Sequence, residues 1–114
     1  MQVTSIKATN MDMTDAIRAY VEEKVSALDK LVEGYEPAAS ISVEVGKSSN
    51  HHNKGPFMRC EMNLSIPGVM LRSEEEREDL YEAIDVAQGD LKRQLKDHKE
   101  RLIEKNRGPR PGKE

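Results

Sequence analysis

The chain has no tryptophan, one phenylalanine and three tyrosines, so any core it builds is aliphatic, made of valine, isoleucine, leucine, methionine and alanine. Aromatic stacking platforms, the usual device of single-strand readers, are scarce for the same reason. The lone Cys60 excludes an internal disulfide and fits a reducing compartment. No run approaches the roughly 18 consecutive apolar residues of a membrane span. The start, MQVTSIKATN, lacks both the basic beginning and the apolar stretch of a secretory leader. A cytoplasmic protein without membrane attachment is expected. At 114 residues the chain suits one domain with a modest core.

Catalytic apparatus is missing as well. There is no phosphate-cradling glycine loop of the Walker or dinucleotide kind and no nucleophile elbow. His51, His52 and Cys60 are the only cluster of metal-ligand types, and their spacing does not supply three or four tetrahedral ligands. Asp79 and Glu82 form a carboxylate pair in an acidic, solvated turn, where nothing raises a pKa for general acid work. Cys60 alternates with apolar neighbours and reads as a core thiol. No enzyme activity, metal or cofactor is expected.

What is abundant is charge, at 34% of residues, with a net of only −3. The two signs are segregated. From Glu74 to Val86 seven acids face one base, and from Gln88 to Glu114 nine bases face five acids. Any polyanion must therefore be met by a local face.

The boundary falls inside one strongly patterned stretch, Asp79 to Leu102. Leu80, Ile84, Ala87, Leu91, Leu95 and Leu102 recur at steps that gather them into one apolar stripe of a helix. Glu78, Glu82 and Asp85 come first on the opposite face, followed by Lys92, Lys96 and Lys99 with Arg93 beside them. Two readings compete. In one, the gradient complements the helix dipole, and Asp90, Asp97 and Glu100 add local pairing. In the other, Lys92, Arg93, Lys96 and Lys99 form a stripe able to meet successive phosphates. One helix does not decide between them. Tyr81, at the border of the stripe, is either a core residue with a wet hydroxyl or a contact for a base or partner.

Taken in order, QVTSIKA reads as a short strand with Val3 and Ile6 inward. Thr14 stands as the N-cap of a helix through DAIRAYVEEKVSALDKLV, closed by Gly34 and Pro37. Lys24 projects near the middle of its apolar stripe, either snorkelling at the core edge or aimed into a groove against a second helix. Ile41, Val43 and Val45 alternate with Ser40, Ser42 and Glu44 as a half-buried strand. A polar loop, GKSSNHHNKGP, leads to a second clean strand from Met58 to Ile66. Pro67-Gly68 turns it into a short third partner, VMLR. Ser73-Glu74-Glu75-Glu76 fits a capping box at the start of the long helix. After Lys105, NRGPRPGKE reads as a disordered basic tail, giving a domain of residues 1–105 and a tail of 106–114. The expected fold is α+β with order β-α-β-β-β-α: a four-stranded sheet with two helices side by side on one face.

DLYEAID followed by LKRQLKDHKERL, with the early TDAIRAYVEEKVSALDKL and the connecting GKSSNHHNKGPFMRCEMNLSIPG, resembles the ribosome hibernation-promoting factor family, also called ribosome-associated inhibitor or protein Y. The resemblance spans residues 1 to about 102. It implies the fold inferred above, and a protein that binds the small ribosomal subunit in the messenger RNA channel and transfer RNA sites, silencing translation in stress or stationary phase. By the same resemblance, Arg18, Lys24 and Lys30 occupy basic positions of the first helix, Arg93, Lys99 and Arg101 those of the second, and Tyr81 with Ala83-Ile84-Asp85 the helix-start pattern. With Lys92 and Lys96 these form the expected RNA-binding set, Tyr81 being a ribosome contact. Ala27, Asp90 and Asp97 stand where family members often carry lysine. The expected partners are ribosomal RNA and neighbouring ribosomal proteins, the protein being a monomer off the ribosome. Long family members add a dimerising domain, for which this chain is expected to be too short. Its short basic tail favours the short type that works with a ribosome modulation factor. A protein-interaction adaptor of the same fold, using its sheet edge or open sheet face, is the rival reading.

Overall fold

The computed structural model describes residues 1–48 and 57–107, with side chains described through Lys105. His51, His52 and residues 108–114 lie outside the described part, as does most of the expected tail. The order is β1 (Gln2–Thr9), α1 (Asp15–Ser26), a 3-10 segment (Asp29–Tyr35), β2 (Ser40–Lys47), β3 (Met58–Ile66), β4 (Val69–Arg77) and α2 (Leu80–Arg107).

The sheet has spatial order β1-β2-β3-β4. β1 runs parallel to β2, which demands a crossover, and α1 with the 3-10 segment supplies it. The other pairs are antiparallel. Alternation sets the faces: Ile41, Val43, Val45, Cys60, Met62, Leu64 and Ile66 point into the core. The helices cover that side with Ile17, Val21, Val25, Leu28 and Val32 from the first half, and Leu80, Ala83, Ile84, Ala87, Leu91 and Leu95 from α2. Two helices on one face of four strands is the expected architecture.

Three local expectations are corrected. Val3 is not buried in the core but 42% exposed, while Ile6 is half-buried. Val3 and Ile6 are an odd number of residues apart and would lie on opposite faces of a regular strand. A bulge between Val3 and Ser5 brings both opposite core residues, Ile41 and Val43, yet Val3 sits on an edge strand with too little cover.

The first helix does not run to Val32. Ser26 Oγ donates to the Glu23 carbonyl at 2.9 Å, competing with the backbone ladder, and the chain tightens from Leu28 into the 3-10 segment. Leu28 and Val32 stay buried through the change. The expected N-cap is present, with Thr14 Oγ1 accepting from Ile17 N at 3.1 Å.

Ser73-Glu74-Glu75-Glu76 is not a capping box. β4 runs nine residues and takes in this whole run, with Ser73 2% exposed opposite Met62. Outward-facing Arg72 and Glu74 pair across to Glu61 and Arg59 of β3, and those cross-strand charges outweigh a local sequence that favours a helix start. Asp79 caps α2 instead, its Oδ1 accepting from Tyr81 N at 3.2 Å. Glu78 therefore precedes the helix. At its other end α2 continues past Lys105 to Arg107.

Candidate nucleic-acid interface

α2 has two flanks, and its contacts distinguish them. Tyr81, Asp85 and Gln88 touch α1. Asp85 Oδ1 accepts from the Tyr20 hydroxyl at 2.6 Å and pairs with Lys24 Nζ at 3.1 Å. Gln88 Nε2 donates to the Lys24 carbonyl at 3.1 Å. Tyr20 and Tyr81 meet edge to face at 4.8 Å, and Lys24 Nζ stands 5.5 Å from the Tyr20 ring. The groove between the helices is thus closed at this point by a polar cluster. The Tyr20 hydrogen bond, with help from Lys24, holds the Asp85 carboxyl below the usual carboxylate range. Bonding to Asp85 in turn raises Lys24. Tyr81 is 37% exposed and belongs partly to this packing and partly to the surface.

One helical turn after Gln88, on the same side, comes Lys92, then Lys96 and Lys99. Lys99 Nζ lies 5.9 Å from the ring of Tyr35 in the 3-10 segment, which also carries the exposed Lys30. Among the described residues, Lys30, Lys92, Lys96 and Lys99 enter no ion pair. Of the expected binding residues, these four form the open cationic ground.

The opposite flank lies over β4. Gln94 Nε2 donates to the Arg72 carbonyl at 2.8 Å and to Asp90 Oδ2 at 2.9 Å. Arg93 bonds Asp90 at 2.6 Å and Asp97 at 3.2 Å. The bond from Arg93 holds Asp90 low, against partial burial that pushes it up. Arg101 follows Asp97 by one turn and is exposed. Arg18 lies apart from α2, its Nη2 reaching the Ile6 carbonyl of β1 at 3.4 Å. The structure therefore divides the expected stripe by partner: Lys92, Lys96 and Lys99 enter no ion pair among the described residues, Arg93 beside them on the outer surface of α2 is clamped by Asp90 and Asp97, and Lys24 is already engaged.

The open face of the sheet carries a network that sequence reasoning missed. Arg59 pairs with Glu44, Glu61 and Glu74, and Arg72 with Glu61 and Glu74. Two arginines set among three glutamates leave no cationic surface there. The signal was the alternation of charged residues at the outward positions of the two strands, legible only once their register is known. Among the described residues no group of three or more His, Cys, Asp or Glu could hold a metal ion. None of the described helices is long and apolar enough to cross a membrane.

Comparison with known proteins gives a consistent picture. The family model described as Sigma 54 modulation protein / S30EA ribosomal protein matches residues 4–103. A ribosome hibernation promotion factor of Deinococcus radiodurans is 34% identical over 97% of this chain and 56% of its own length. A ribosome hibernation promoting factor of Azotobacter vinelandii is 36% identical over 97% of this chain and 94% of its own. The chain thus spans about half the length of the first curated relatives it matches and nearly all of the Azotobacter one. Among solved structures, the N-terminal domain of Thermus thermophilus Protein Y superposes with TM-score 0.69 at 33% identity, covering 86% of this chain and 99% of that one.

Proposed function

The chain belongs to the Sigma 54 modulation protein / S30EA ribosomal protein family, and on that premise we propose that it is a ribosome hibernation factor acting on the small subunit. The action is steric and involves no chemistry: the helical face lies against ribosomal RNA where messenger and transfer RNAs would run, in the cytoplasm, and the idle ribosome is preserved. The observation that carries this reading is the segregation of charge between the two faces. The open sheet face balances its arginines internally, whereas the helical face keeps Lys30, Lys92, Lys96 and Lys99 without acidic partners among the described residues. Such a surface suits phosphate and shape recognition rather than base reading.

Binding dominated by phosphate contacts releases counterions, so affinity falls steeply with salt. The test is co-sedimentation with isolated small subunits. With three or four phosphates engaged, the binding constant is expected to drop by about one to two orders of magnitude between about 50 and 200 mM monovalent salt. Lys92→Glu, Lys96→Glu and Lys99→Glu together should abolish binding, and with it inhibition of cell-free translation, while far-UV circular dichroism stays unchanged. An affinity flat across that salt range would sink the proposal. A ribosome modulation factor is the further partner to add to the same assay, with ribosome pairing as its readout.

A further inference from the structure

Arg93 is 63% exposed and at first sight adds to the basic surface, but its surroundings argue otherwise. Its two terminal nitrogens are each bonded to a different carboxylate, Asp90 and Asp97, on the turns before and after it. Three charges lie within a few ångströms, well inside the roughly 8 Å screening length at physiological salt, so an approaching phosphate meets them as one group of net charge −1. Swinging Arg93 toward solvent changes its geometry but not that sum.

Asp90 cannot readily withdraw to release it. Its Oδ1 takes Arg93 and its Oδ2 takes Gln94, and Gln94 is also bonded to the Arg72 carbonyl of β4. The clamp is therefore anchored through Gln94 to the sheet. Beside Arg93 on the outer surface of α2, Lys92 and Lys96, and Lys99 after them, have no such counter-charges paired to them among the described residues.

We propose that this chain meets polyanions through only some of the basic residues of α2, Lys92, Lys96 and Lys99, and that Asp90 and Asp97 withhold Arg93 from phosphate. Asp97 is then a tuning position: it sets the strength of binding without itself meeting phosphate. The target, ribosomal RNA, rests on the hibernation reading, but the division of the helix's basic residues into available and withheld ones rests on the ion pairs alone.

The experiment compares the unaltered chain with Lys92→Gln, Lys96→Gln, Arg93→Gln, Asp97→Asn and the double variant Asp90→Asn with Asp97→Asn, each checked for fold. The readouts are elution salt from immobilised heparin and the salt slope of small-subunit binding. Losing either lysine should make the slope shallower by about 0.7 to 0.9, the value of one phosphate contact, and lower the elution salt. Arg93→Gln should leave the slope unchanged. Asp97→Asn, which takes the Arg93 group from net −1 to neutral while Asp90 still holds it, should tighten binding severalfold and raise the elution salt, and Asp90→Asn with Asp97→Asn, which frees Arg93, should steepen the slope by about one contact. If Arg93→Gln flattens the slope as much as Lys96→Gln, or the double variant leaves it unchanged, the proposal is overturned. Failure of the unaltered chain to bind small subunits would overturn the ribosomal reading alone, and the ranking on heparin would still decide which basic residues are active.

Discussion

Cys60 lies at the middle of the inner sheet face with no exposure, and burial pushes its thiol up to about 12, Arg59 pulling only weakly the other way. It is expected to resist a disulfide reagent such as Ellman's at pH 8 in the native protein and to react fully in urea. Fast labelling without denaturant would contradict this. Its neighbour Glu61 faces outward. Partial burial pushes its carboxyl up, but hydrogen bonds from Asn63 and Arg72 and the charges of Arg72 and Arg59 outweigh that, and the net shift is downward. A carboxyl with a depressed folded-state pKa stabilises above its unfolded value and loses that contribution as pH falls through the folded one. Glu61→Gln should therefore lower stability by about 1 kcal/mol at neutral pH, and the gap from the unaltered chain should close below about pH 4. Urea titrations at several pH values read both. Cys60's burial was legible in the alternation around it, whereas Glu61's role was not. Its partner Arg72 belongs to another strand, and only the cross-strand register brings the two together. Gly46 was equally silent: a Cβ there would run into the Thr9 carbonyl of β1, so Gly46→Ala should cost about 1–3 kcal/mol by displacing the edge strand.

At the scale of elements, each helix has a side-chain cap and a buried stripe, and the two can be tested separately. α1 has a side-chain cap, and Thr14→Ala should lower stability by about 1 kcal/mol by removing the bond to Ile17 N. α2 rests on its buried stripe, and Leu91→Ala, at a site with no exposure, should cost about 2–5 kcal/mol in chemical denaturation. Both helices, β2 and β3 were readable from periodicity because each has one apolar face, whereas β1, which buries no residue fully, and β4 were read only as short strands. The boundaries were less so, and for one reason: local signals and cross-strand pairing disagreed. Ser73 through Glu76 looks like a helix start until β3 supplies Arg59 and pairs the run as a strand. Ser26 looks like mid-helix until its hydroxyl takes the Glu23 carbonyl. The expected binding residues fared likewise. Periodicity placed Lys92, Arg93, Lys96 and Lys99 on one helix, but only the side-chain geometry showed that Arg93 is held by Asp90 and Asp97 while the lysines enter no ion pair among the described residues.

The whole molecule is a sheet with one apolar and one charged face, and the helices that hide the first present the lysines. This coupling explains why the architecture could be deduced from the order of elements while the interface could not: core burial is encoded in spacing, but a surface charge acquires its meaning from neighbours distant in sequence. It also ties the proposed binding surface to folding, since Leu91 and Leu95 lie in the same turns as Lys92 and Lys96. The chain order of the roof has one further result. All four strands precede α2, so during synthesis the inner face with Met62 and Leu64 emerges before the helix that covers much of it has been made. The nascent chain therefore passes through an interval in which a sticky surface exists and the lysine flank does not. If the lysines bind as proposed, the chain becomes fold-competent and polyanion-competent in the same moment, when α2 arrives.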